Sequence, residues 1–151
     1  MSAQHPYGAL VVPKLADAAG VFHTNPELVY IPNTPYLRQY TDEFGNTLAL
    51  LEEDPDENHE DVASLGNATN LVGTDKVLSE LKDDNDNEVD EQEFVRARLL
   101  DMLIGDWDRH EGQWRWVEEK KKNDKGKLYT PVPEDRDMAF FKVDEIGRAH
   151  V

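Results

Sequence analysis

Asp106, Asp108, Arg109 and His110 stand directly after an apolar run, and Asp135 and Asp137 stand after a β-branched one further along the chain. The first group belongs to "LIGDWDRHEGQWRW", residues 103–116, which also carries Trp107, Trp114 and Trp116, the three tryptophans of the sequence. Two carboxylate clusters of this kind allow a division of labour. One carboxylate accepts a proton while another holds a divalent metal on phosphate oxygens. Phosphoryl transfer uses that arrangement, because its catalysis is mainly positioning plus neutralisation of charge. The competing reading is structural. Asp and Glu number 32 in this chain, so many of them fall at element ends by default. Spacing alone leaves both readings open.

Other chemistries are excluded or unsupported. The chain has no cysteine, which removes thiolate zinc sites, disulfides and cysteine nucleophiles. His5, His23, His59 and His110 are scattered, with no H-E-x-x-H pair. Neither a G-x-S-x-G elbow nor a Walker A phosphate loop occurs. The acidic run from Asp83 fits a calcium-binding EF-hand loop at Asn85 and Asn87. It has Glu88 where the turn glycine is needed and Phe94 where the bidentate glutamate belongs. It reads as a solvated linker and helix start.

Composition narrows the partners. At 151 residues the chain has room for one domain, and its 16 Lys and Arg against 32 acids give a net charge of −16. That balance argues against nucleic acid, which calls for a basic face, and against an anionic membrane surface. No apolar run approaches the length of a membrane span.

The elements that must position the two clusters are expected as follows. Residues 7–19 read as a helix ended by Gly20, with Leu10, Leu15 and Ala18 or Ala19 on its buried face, and with Pro13 best placed as a first-turn residue. Residues 27–32 and 46–54 read as strands, and residues 54–73 as a loop. A short helix after Thr74 turns Val77, Leu78 and Leu81 inward. Asp90 and Glu93 mark the start of a second helix. Its segment "FVRARLLDMLI" is apolar on more than one face and predicts burial on most sides. "QWRWVEE" and "KLYTPVP" form a hairpin with Trp114 and Trp116 on one face and Arg115 and Val117 on the other. The outer ends of a hairpin lie close together, so it would bring the two acidic clusters near each other. The class is α+β.

"LLDMLIGDWDRHEGQW" followed by "YTPVPEDRDMAF" resembles the catalytic core of atypical protein-kinase-like families. These include CotH-type spore-coat kinases, HipA-type kinases, secretory-pathway casein kinases and, more distantly, phosphatidylinositol kinases. The shared pattern is an L-I-G-N-x-D-R-H-x-x-N loop, then a hairpin and a D-x-D or D-x-G motif. Upstream, "LADAAGVFHTNPELVYIP" is similar to the families' regulatory helix and following strand, and "LALLEED" to the strand entering the hinge between lobes. The resemblance covers about residues 5–142.

It implies a protein-kinase-like fold, the end of the small lobe plus the catalytic part of the large lobe, and a phosphotransferase using ATP with Mg²⁺ or Mn²⁺. Nucleotide and a phosphoryl acceptor of unspecified kind would be its partners. Asp108 would orient or deprotonate the acceptor, and Arg109 and His110 would shape the catalytic loop. Asp135 and Asp137 would hold metal, with Gln113 at the position of the second metal ligand. Glu52 or Glu53 would lie beside the nucleotide at the hinge.

The sequence departs from the pattern in four ways. Gln113 and Asp106 replace asparagines, the first helix has no glutamate, and no glycine-rich loop or nucleotide-binding lysine precedes residue 5. Residues 1–144 are therefore expected to be part of a longer kinase-like domain, inactive as they stand. A pseudokinase or interaction module and a metal-dependent phosphohydrolase are the alternatives. The final "EIGRAHV" back-translates to a sequence resembling a sequencing adapter, so residues 145–151 are expected to be non-native. Gly147, Arg148 and His150 carry no functional weight.

Overall fold

The computed structural model describes residue 5 and residues 7–56, 58–122 and 125–141. The expected tail at 145–151 and the end of the expected domain at 144 lie outside them. The fold is α+β.

Helix α1 (Gly8–Ala19) ends on Gly20, whose left-handed φ of 69° lets its N–H reach back to Ala16 and Asp17 carbonyls. Two expectations for this helix are corrected. It begins at Gly8, so Pro13 lies inside it and is not a first-turn residue. Its buried positions are Gly8, Val12 and Ala16, with Leu15 and Ala19 only partly covered and Ala18 exposed. Gly8 is required there by contact. A Cβ at this position would stand 2.6 Å from the Ala139 carbonyl oxygen, so the helix start packs directly on the segment that carries Asp135 and Asp137.

Strand β1 (Glu27–Ile31) leads through a 3₁₀ turn (Pro35–Tyr40) and one helical turn, α2 (Thr41–Phe44), into β2 (Thr47–Leu51). The two strands pair antiparallel, with Leu28 opposite Leu50 and Tyr30 opposite Leu48. The turns between them carry no strong apolar period and were not expected. The expected loop at 54–73 contains a 3₁₀ turn (Ala63–Leu65) and strand β3 (Leu71–Gly73). Next come α3 (Thr74–Asp83), β4 (Glu88–Val89), α4 (Glu91–Ile104), a 3₁₀ turn at Glu111–Gln113, β5 (Trp114–Lys120) and β6 (Lys127–Pro133). The second sheet has the order β3-β5-β6-β4, antiparallel except for the β6–β4 pair.

The hairpin divides the core in two. Trp114 and Trp116 face one side and stack at 6.0 Å, with Phe94 of α4 at 5.0 and 5.9 Å from them. Val117 faces the other side and joins Leu65, Ala68, Leu71 and Val132. Each fully buried large side chain contributes about 1.5–3 kcal/mol, so the tryptophans act first as cement between sheet and helix.

Two helices are less buried than their sequences predict. In α3, Val77 is buried and Leu81 packs on the core, while Leu78 is exposed. In α4, Asp90 caps the first turn by accepting from the Glu93 N–H at 3.0 Å. Ala97, Leu100, Asp101 and Ile104 are buried, but Val95, Leu99, Met102 and Leu103 are exposed, Leu103 at 80%. The apolar character of several faces did not translate into burial, because α1 and the hairpin cover only one side.

Candidate functional site

Helix α4 ends at Gly105, where a φ of 69° turns the chain sharply. Residues 106–113 then cross to the hairpin, and residues 134–141 leave it on the same side. The close approach expected from the hairpin is present. The Gln113 side-chain amide donates to Asp135 Oδ2 at 2.9 Å, and the Glu134 N–H donates to the Gln113 carbonyl at 3.0 Å.

A buried ionic cluster fixes this crossing. Arg109, whose side chain is 1% exposed, donates from Nε to Asp101 Oδ2 at 3.0 Å and from Nη2 to Asp106 Oδ2 at 2.8 Å. Its Nη1 reaches the Gln113 and Glu134 carbonyl oxygens, and its guanidinium lies 5.4 Å from the centre of the Trp114 ring. One side chain thereby ties α4, the loop, and both ends of the hairpin. Asp101, fully buried, also accepts from Arg98 at 2.9 Å. Burial pushes the Asp106 carboxyl above the usual range, against the pull of Arg109.

His110 closes the loop. Its Nδ1 accepts from the Gly112 N–H at 3.1 Å, while its own N–H donates to Gln113 Oε1 at 3.3 Å, which caps the 3₁₀ turn in both directions. At the far wall, Glu52 accepts from the Thr24 hydroxyl, and Glu53 accepts from the Asn25 N–H at 2.6 Å. His23, 3% exposed, supports that wall through Thr24 O at 2.9 Å and Asp17 at 3.0 Å.

These segments enclose a cleft of about 450 Å³, lined by Glu52, Glu53, Asp54, Pro55, His110, Gly112, Gln113, Glu134 and Asp135. Five of the eight residues singled out in the sequence therefore meet in one place: Glu52, Glu53, His110, Gln113 and Asp135. Asp108 is exposed and does not line this cleft, and Arg109 lies beneath it. Asp137 faces a second, smaller cavity of about 40 Å³, which it shares with Asp135 and Glu52. Trp107 is 59% exposed and meets Phe141 edge-on at 5.8 Å. Among the described residues, no three His, Asp or Glu side chains group closely enough to hold a metal ion by themselves.

Three important groups escaped the sequence reading. Asp101 is a charge within an apolar helical run, which is a usable signal for a buried ion pair. Arg136 sits between two aspartates and reads from sequence as solvated, yet it is 7% exposed. Glu134 is held above its ordinary range, at about 7, by burial foremost and by the neighbouring Asp54 and Glu52 carboxylates, despite Arg115 at 3.2 Å.

No family model, curated protein or solved structure matches the chain. Among the described residues no helix is long and apolar enough to cross a membrane.

Proposed function

We propose that this chain forms part of an ATP- and divalent-metal-dependent phosphotransferase of atypical kinase-like type. The observation that carries the reading is the cleft itself. Residues far apart in sequence, Glu52 and Glu53 on one wall and His110, Gln113 and Asp135 on the other, line one space. Its volume of about 450 Å³ lies in the range of small-molecule sites. Five of its side chains, Glu52, Glu53, Asp54, Glu134 and Asp135, are acids. A polyphosphate is repelled from such walls unless a cation accompanies it. Mg²⁺ or Mn²⁺ fits this donor set in the mode where one protein carboxylate, here Asp135, acts together with phosphate oxygens and water. The metal would supply charge neutralisation on the phosphates.

The chain's own residues have separate tasks in this reading. Arg109 holds the loop from below, so that Asp108 stays in solvent where an acceptor hydroxyl can reach it. His110 and Gln113 set the cleft floor, and the Gln113 amide orients Asp135. Glu52 and Glu53, pinned by Thr24 and Asn25, form the hinge-side wall. The chain by itself is expected to bind nucleotide weakly and to turn none over, because among the described residues no lysine lines the cleft to hold the phosphates.

The test is binding of ATP with Mn²⁺ to the full chain, with Asp135→Ala and Asp108→Ala as variants. Loss of binding on Asp135→Ala alone supports the reading. Manganese-dependent binding that survives Asp135→Ala sinks it.

One observation favours a second reading, a pseudokinase or interaction module. Both ends of the Gln113 side chain are already engaged, the oxygen by His110 and the nitrogen by Asp135. An amide used in this way serves as a brace and not as a metal ligand. No nucleotide binding at any metal concentration is the result this second reading expects.

A further inference from the structure

The β1–β2 ribbon is separate from the four-stranded sheet, and among the described residues only these two strands pair in it. Eight of its ten residues are apolar, Glu27 and Thr47 being the exceptions, yet none is buried. The register sets Leu28 beside Leu50 and Tyr30 beside Leu48 on one face, where all four are 43% to 65% exposed. Val29, Ile31 and Ala49 on the other face are half-buried. Strands that are apolar on both faces belong inside a larger sheet. A two-stranded ribbon is marginal in water until a third strand or a covering layer joins it. The fold therefore leaves this ribbon short of a neighbour.

The two edges of the ribbon are not equivalent. Pro26 and Pro32 bracket β1, and Glu27 opens it, so missing N–H groups and a charge shorten the stretch that can pair. Strand β2 carries no such protection. Thr47–Leu51 has no proline and no charge, and its register with β1 runs without a bulge. Among the described residues, none of its backbone groups bonds outside the ladder with β1. An apolar edge of this kind is a template for another strand.

We propose that a second copy of this chain pairs with β2 edge to edge, antiparallel about a two-fold axis at Ala49, and joins two ribbons into one four-stranded sheet. The strand is self-complementary in that register. Leu48 meets the copy's Leu50 on the leucine face and Thr47 meets the copy's Leu51, so no charge enters a cross-strand pair. Charge also selects the orientation. Glu52, Glu53 and Asp54 follow β2, and a parallel pairing sets the two acidic runs side by side. The antiparallel pairing sends them to opposite ends of the sheet. Glu52 then lies opposite the copy's Asn46 and about 20 Å from the copy's Glu52 at the rise of a strand, well beyond the Debye length of about 8 Å at physiological ionic strength. A five-residue edge is at the small end of specific interfaces, below the roughly 800 Å² per partner of a standard one, so the dimer depends on concentration. Each chain carries a net charge of −16, so added salt strengthens the association. The pairing does not depend on the nucleotide reading.

The experiment is sedimentation equilibrium of the full chain over a wide concentration series at low and high salt. A reversible monomer–dimer equilibrium is expected, shifted toward dimer by salt. Leu48→Lys places a charge on the pairing edge and raises the dimer dissociation constant roughly tenfold. Leu50→Glu weakens the dimer as well. Mixing the two variants restores association, because position 48 of one copy faces position 50 of the other. Amide hydrogen exchange on the wild-type chain needs no variant: protection of Thr47–Leu51 rises with protein concentration. A chain that stays monomeric at every concentration overturns the proposal and leaves the edge to a strand of another protein. A dimer that survives Leu48→Lys also overturns it, as does one abolished by Met102→Lys on the exposed face of α4, or protection of Thr47–Leu51 that ignores concentration.

Discussion

The Gln113 side chain and the Asp135 carboxylate meet at 2.9 Å across the base of the β5–β6 hairpin, with Asp135 in a left-handed conformation at a φ of 51°. This bond joins the loop that follows α4 to the segment that follows β6, and so sets the geometry of the cleft floor. Gln113→Leu fills the same space but removes both amide bonds. We expect it to lower stability by about 1–2 kcal/mol, measured by urea unfolding, and to loosen Asp135. Unchanged stability would show that the brace carries no energy.

Arg109 is the more consequential contact. Arg109→Met leaves Asp101 and Asp106 buried with less compensation, and removing one partner of a buried ion pair costs about 3–5 kcal/mol. The expected result is a large loss of stability, with Arg109→Lys recovering only part because an ammonium cannot reach four acceptors in one plane. A loss below about 1 kcal/mol in denaturant unfolding contradicts this account.

Stability also carries a pH signature from Glu134. Its carboxyl is raised to about 7 when folded, from an ordinary 4.5. Between those values the folded chain holds a proton that the unfolded chain has released, so stability falls as pH rises from about 4.5 to 7. Burial of Asp106 acts in the same direction. Glu134→Gln removes the Glu134 part of this slope. A stability profile that is equally steep in that variant, followed by thermal midpoints, would falsify the assignment.

Neighbouring positions on α4 should respond in opposite ways. Ile104 is 2% exposed and Leu103 is 80% exposed. Ile104→Ala is expected to cost about 2–5 kcal/mol, whereas Leu103→Ser stays within about 0.5 kcal/mol. Equal losses at the two positions would show that the exposed face of α4 is covered in solution.

Much of the local structure was legible in the sequence because it is written in short-range chemistry. Gly20 ends a helix where a left-handed residue is needed, Asp90 caps another, and the alternation of Trp114, Arg115, Trp116 and Val117 fixes which hairpin face meets which core. The hairpin also implied that the two acidic clusters approach each other; of their members His110 and Asp135 line one cleft, while Asp108 lies outside it. The helix faces were read less well. Leu78, Leu99 and Leu103 have the residue type of core positions, but burial depends on whether another element arrives to cover them.

What the sequence alone determined is therefore the longer helices and the hairpin, the α+β class and the meeting of the two hairpin ends. Tertiary structure decided the charges. Arg136, between two aspartates, looks like a solvated surface residue in a chain of net charge −16, and only the packing of the segment after β6 takes it out of water. Arg109 likewise became a buried tie, while Asp108, its neighbour, stayed outside. The physical reason is that desolvation and ion pairing depend on which side chains surround a group in space, and in this cluster Asp101, Arg109 and Arg136 are brought together from separate segments.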